Sequence, residues 1–210
     1  MFSRKLSRRQ LLKTAGLLGV AGAILDPAKV LADEGEGSRV TWDMVSVGTG
    51  SIRRGGDAAA MAEDGSIITV TGHGTFPNVD RCSPVVSGGG TWSIFKPATS
   101  TDSRCFSGSG NYRVTELLSW VTAPGGVLPL PDATGDRGTA SAGLATLRVR
   151  FDDGRRGTLT ISCHLPGSPN CMPEGITATM VYEDFFEAQP PTGDHNRTLF
   201  HVGGPGDNDD

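Results

Sequence analysis

The sequence has little of what helical, membrane-spanning and nucleic-acid-binding proteins need. Thirty glycines and thirteen prolines in 210 residues interrupt it too often for long helices, because glycine weakens a helix interior and proline breaks one. No stretch reaches the roughly eighteen consecutive apolar residues of a bilayer-crossing helix. The four histidines and four cysteines show no His-x-His, Cys-x-x-Cys or His-Glu-x-x-His spacing, and Gly-x-Ser-x-Gly is absent. The common zinc and serine-hydrolase signatures are therefore missing. Gly88-Gly89-Gly90 and Gly108-Ser109-Gly110 lead into strands rather than helices, so they are not phosphate cradles.

What is present begins with an uneven charge. Residues 1–32 hold six basic side chains (Arg4, Lys5, Arg8, Arg9, Lys13 and Lys29) against Asp26, whereas residues 33–210 hold 13 basic and 22 acidic ones, a net charge of −9. So acidic a chain is repelled by phosphate backbones, and no basic-aromatic cluster offsets this, so no nucleic-acid partner is expected.

At the N-terminus, Ser7-Arg8-Arg9-Gln10-Leu11-Leu12-Lys13 precedes a modestly apolar stretch, Thr14 to Leu25, padded with Gly16, Gly19 and Gly22. Pro27 ends it, and Val30-Leu31-Ala32 supplies small-residue cleavage chemistry. This segment resembles a twin-arginine (Tat) export signal, with Arg8 and Arg9 as its signal motif. The resemblance covers residues 1–32. It implies export in the folded state with the Tat translocase as partner, loss of the signal peptide, a periplasmic or secreted product and no membrane contact after cleavage. Residues 33–39 read as a linker.

Beyond it, short runs alternate between apolar and polar residues and are punctuated by turn residues. Strands are predicted at Val40–Val47, Ala58–Ala62, Ser66–Thr71 continuing to Phe76, Thr91–Phe95, Asn111–Trp120, Leu144–Phe151, Gly157–Cys163 and Ile176–Tyr182. Hairpin turns are expected at Glu63-Asp64-Gly65 and Asp152-Asp153-Gly154. In the second hairpin Ala145, Leu147, Val149 and Phe151 take one face and Arg148 and Arg150 the other, the pattern of an antiparallel sheet with one wet side. The expected fold is all-β: a small antiparallel up-and-down β-barrel of about eight strands, with a two-sheet β-sandwich as the alternative. The domain is expected over 40–188, with a long loop at 123–142 and a helical turn or two within Glu183–Ala188. From 189 to 210 an acidic tail is expected to be disordered, apart from Thr198–Val202. The strand Gly89-Gly90-Thr91-Trp92 and the turn Cys163-His164-Leu165-Pro166-Gly167 resemble those of uncharacterised exported bacterial β-proteins, a likeness that implies no activity.

Cys82, Cys105, Cys163 and Cys171 all follow the export segment, and an even count in an oxidising compartment suggests disulfide bonds. Nearest-neighbour pairing, Cys82–Cys105 and Cys163–Cys171, is favoured. A copper site at Cys163, His164 and Met172 is disfavoured, because adjacent residues on a strand point to opposite faces. Glu183, Asp184 and Glu187 offer no opposed carboxylate pair. No metal ligands and no cofactor are expected.

The expected function is accordingly that of an exported, non-catalytic β-barrel that binds a small apolar or partly apolar ligand or serves structurally, with Trp42, Trp92, Trp120 and His73 as candidate ligand-binding residues. Two alternatives stand beside it: a barrel isomerase or cyclase of the allene-oxide-cyclase or dirigent type, and a copper- or zinc-binding cargo. Two or more ionisable groups facing an interior cavity would favour the enzyme; a filled interior would favour binding.

Overall fold

A computed structural model describes residues 38–48, 50–98 and 107–203. Arg8, Arg9 and Cys105 lie outside them. The described residues form strands without a helix: β1 (Arg39–Ser46), β2 (Arg53–Arg54), β3 (Asp57–Met61), β4 (Ile67–Thr71), β5 (His73–Pro77), β6 (Ser87–Phe95), β7 (Gly108–Thr122), β8 (Thr139–Ser141), β9 (Gly143–Phe151), β10 (Arg156–Cys163), β11 (Gly175–Met180), β12 (Glu183–Phe185), β13 (Glu187–Ala188) and β14 (Thr198–Val202). Every ladder between them is antiparallel. The fold is therefore all-β and antiparallel, as the alternation indicates.

Both expected hairpins form. Met61 pairs with Ile67 around the Asp-Gly turn, and β9 runs against β10 with Leu147 opposite Leu159. Alternation buries Leu147, Val149, Phe151, Leu159 and Ile161 in one apolar core with Trp42, Phe76, Trp120 and Phe200. Four sequential strands, β9 to β12, form a meander, and β6 and β7 extend it.

Elsewhere the order is not sequential. β4 and β5 are one run bent at Gly72, whose φ of 155° and close approach to the Tyr112 hydroxyl (2.4 Å from where a Cβ would lie) exclude a side chain. The bend lets β6 pair with both arms, Trp92 with Val70 on β4 and Gly89 with His73 on β5. Beyond β5 come β1, β14 and β8. The sheet is not closed into a barrel: β12 pairs with β11 and β13 with β3, and Phe186 interrupts the run between them.

Three expectations change. Glu183–Ala188 is extended, not helical. Glu183 and Phe185 are buried while Asp184 is exposed, a period of two that no helix satisfies. The β unit does not end at residue 188, since Thr198–Val202 is strand β14, with Leu199, Phe200 and His201 buried. The tail's apolar residues are few but lie together, and β1 gives them a partner. The expected Cys163–Cys171 bond is not formed: Cys82, Cys163 and Cys171 are free thiols, Cys163 facing the core and Cys171 exposed in a turn.

Candidate functional site

The residues expected to bind a ligand are dispersed. Trp42 is fully buried in β1, and Trp92 is buried in β6 with Phe151 edge-on at 5.6 Å and Arg155 over its ring. His73 is exposed at the start of β5, opposite Asp43 of β1. Trp120 is different. Its ring is 4.7 Å from Phe200 and 5.4 Å from Phe76, and its Nε1 donates to Asn78 Oδ1 at 2.9 Å. Gly143 on β9 makes room for it, since a Cβ there would lie 2.5 Å from the indole. The 4% of Trp120 that remains exposed forms part of the wall of an open recess of about 680 Å³, with Asn78, Val79, Arg81, Val121 and Thr122. In the core, the void among Ile68, Tyr112, Phe151 and Leu159 is about 10 Å³, at the lower limit for one water.

The strongest electrostatics lie on the outer face of β1 and β14, away from the Trp42 core. Asp43 is fully buried there, between Leu199 on β14 and His73 on β5 in register. The Pro131–Asp136 loop covers it. Backbone bonds from Ile52 to Pro131 (2.9 Å) and from Ala133 to Ile52 (2.8 Å) fix that loop, and Thr134 donates its N–H and hydroxyl to Asp132 Oδ1 at 2.9 and 2.8 Å. Asp132 Oδ2 then meets His201 Nε2 at 2.6 Å, while His201 Nδ1 lies 3.7 Å from Asp136. Arg54 from β2 pairs with both remaining acids, its Nε 3.1 Å from Asp43 and its Nη2 against Asp136.

Two neighbouring carboxyls without solvent cannot both ionise comfortably. Burial, then the hydrogen bond and charge of Asp136, push Asp43 up to about 8. Burial also acts upward on Asp136, but hydrogen bonds from Asp43 and Arg54 and the charge of Arg54 outweigh it, and this carboxyl stays below its ordinary value. Of the two, Asp43 is the carboxyl that ionises less readily. That is acid–base chemistry in kind, but a substrate cannot reach a carboxyl that has no exposure.

A second acid, the half-buried Glu174, accepts from the backbone N–H groups of His164 and Thr198 and from the Thr198 hydroxyl. Burial pushes it up to about 7 despite those bonds. It lines a small cavity of about 70 Å³ with Leu128, Leu165 and Leu199. Burial likewise pushes the Cys163 thiol well up, which makes it a poor nucleophile. Glu183 is buried, whereas Asp184 and Glu187 are exposed. Among the described residues no group of three His, Cys, Asp or Glu side chains is placed to hold a metal.

Asp43, Arg54, Asp132, Asp136 and Glu174 were not singled out by sequence reasoning. One signal was available: Trp42-Asp43-Met44-Val45 sets an acid within an apolar strand, and such an acid needs a partner from elsewhere. Compared with known protein families, with curated proteins and with solved structures, the chain matches none.

Proposed function

We propose that the mature protein is an exported, non-catalytic β-protein that holds a small, partly apolar ligand against its surface, in the recess beside Trp120. The observation that carries this reading is the open recess itself, with an indole edge, Val79 and Val121 on its wall and Asn78, Asp80, Arg81 and Thr122 as polar groups. Binding sites combine such apolar walls with a few polar groups. For the fold we favour a barrel over a sandwich, with β3, β4, β6, β7, β9, β10, β11 and the interrupted β12–β13 run as its staves. The β13–β3 ladder and the single-residue gap at Phe186 support that arrangement.

The test is native mass spectrometry of the mature protein against a small-molecule library, repeated with Val121→Arg. Val121 is 62% exposed, so the substitution fills the recess without touching the core. Adducts lost in Val121→Arg at unchanged melting temperature support the site; adducts retained in that variant remove it. Replacing Arg8 and Arg9 by lysine is expected to hold uncut precursor in the cytoplasm, and export of that variant would refute the Tat route.

The isomerase or cyclase alternative draws on one observation, the raised Asp43 carboxyl beside Asp136. It requires substrate access to a fully buried group, and the geometry favours binding.

A further inference from the structure

Three arginines stand in line across the outer face of the β7–β9–β10 ladders. Arg113 is directly opposite Arg150, and Arg150 directly opposite Arg156. All three are exposed, while Tyr112, Val114, Val149 and Phe151 beside them in sequence are buried. Neighbouring strands lie about 4.8 Å apart, so the row sets three guanidinium stems at that spacing. Like charges directly opposite one another are destabilising. Among the described residues no carboxylate pairs with Arg113, Arg150 or Arg156. The acids nearby in sequence are engaged elsewhere: Glu116 with Arg148 at 2.8 Å, Asp153 with Arg155 at 2.7 Å, and Asp152 with the Asn111 N–H at 2.8 Å. This row stands in a segment, residues 33–210, whose net charge is −9.

We propose that the arginine row is a binding surface for a linear carboxylated polysaccharide, of the polyuronate class. A uronic-acid ribbon presents carboxylates at regular intervals, and guanidinium forks bind carboxylates through two parallel N–H···O bonds. Partly exposed threonines adjoin the row on the same face. Thr158 lies two residues beyond Arg156 and is bonded to Thr179 at 2.9 Å; Thr146 and Thr160 lie at 3.2 Å from each other. They offer hydroxyls to a sugar. The aromatic side chains of these strands, Tyr112, Trp120 and Phe151, are buried, so the three strands themselves present none of the stacking platforms on which single-stranded nucleic acids settle. The acid surplus elsewhere repels a polyanion from the rest of the molecule and so orients it on this row.

The test is calorimetric titration of the mature protein with an oligogalacturonate, at low and at moderate salt. Salt-sensitive binding is expected. Arg150→Thr should weaken it about tenfold, the loss of one charge-assisted contact. Arg150→Lys, which keeps the charge but not the fork, should weaken it several-fold. The triple variant Arg113→Thr, Arg150→Thr, Arg156→Thr should lose it, while Arg53→Thr, an equal change of net charge on β2, should leave it intact. The triple variant should melt no lower than the parent, because its substitutions remove repulsion. No binding by the parent, or equal binding by the triple variant or by Arg150→Thr, overturns the proposal. Equal affinity for a single-stranded DNA of matched charge overturns the sugar assignment in favour of a generic polyanion surface.

Discussion

The carboxylates beneath the Pro131–Asp136 loop and the arginines on the β7–β9–β10 face are both surpluses of one sign, and they differ in what relieves them. Asp43 and Asp136 have lost their water, and an uncompensated charge there would be very costly. Relief is therefore internal: Arg54 reaches both acids with one positive charge, and burial beside Asp136 pushes the Asp43 carboxyl toward its neutral form. Arg113, Arg150 and Arg156 keep their water, so their repulsion is small, and no carboxylate among the described residues answers it. A dry surplus has to be neutralised by the fold, whereas a wet one can be left for a partner.

Substitutions can break this contrast, beginning with the largest effect. Arg54→Ala should destabilise the protein by about 3 kcal/mol at neutral pH, toward the lower end for a broken buried pair because Arg54 is partly exposed; urea denaturation measures it, and a loss below about 0.5 kcal/mol would mean that the acids do not need the guanidinium. Asp132→Ala should cost about 2 kcal/mol by leaving buried His201 without its 2.6 Å partner, again read from urea midpoints.

The pH dependence comes next. Asp43, pushed up to about 8, and Glu174, pushed up to about 7, hold protons in the folded state that the unfolded chain releases near pH 4. Their contribution is full below about pH 4 and is lost as the pH rises toward 7 and 8, by up to about 1.4 kcal/mol per pH unit for each group. Asp132 and Asp136, held low, act in the opposite sense and lose their contribution as the pH falls below about 4. Asp43→Asn, which mimics the protonated acid, should flatten the fall in stability between neutral and mildly alkaline pH; an unchanged slope would show that Asp43 is ionised. The smallest effect belongs to the arginine row. Arg150→Glu, placing an acid between Arg113 and Arg156, should stabilise by about 0.5 kcal/mol, and destabilisation beyond that size would reveal a counter-charge already in place.

The sequence made one of these clusters half visible and hid the other. Alternation in Leu144–Phe151 placed Arg148 and Arg150 on the wet face, and the turn residues placed both hairpins. What alternation cannot give is register between strands distant in sequence, and it is register that sets Arg113 and Arg156 beside Arg150. In the same way, Asp43, Asp136 and His201 lie far apart in the chain and meet because β14 pairs with β1 while a loop read as mere connection folds over both. The run Glu183–Ala188, with three acids and two phenylalanines, fits either period until a neighbouring strand selects one. The free Cys163 thiol was missed because a short Pro-Gly loop can bring two cysteines together, yet the inward face of β10 keeps this one in the core.

The pairing of β1 with β14 joins the first described strand to the last. Strands so distant meet late, and folds dominated by such contacts assemble slowly. A nascent chain cut short before Thr198 would present β1 as an open edge, with Trp42 and Phe76 lacking the cover of Phe200 and with His201 missing from above Asp132. The core can therefore seal only after the ribosome has delivered β14, and a copy lacking it would betray itself by a sticky edge rather than pass as a finished protein.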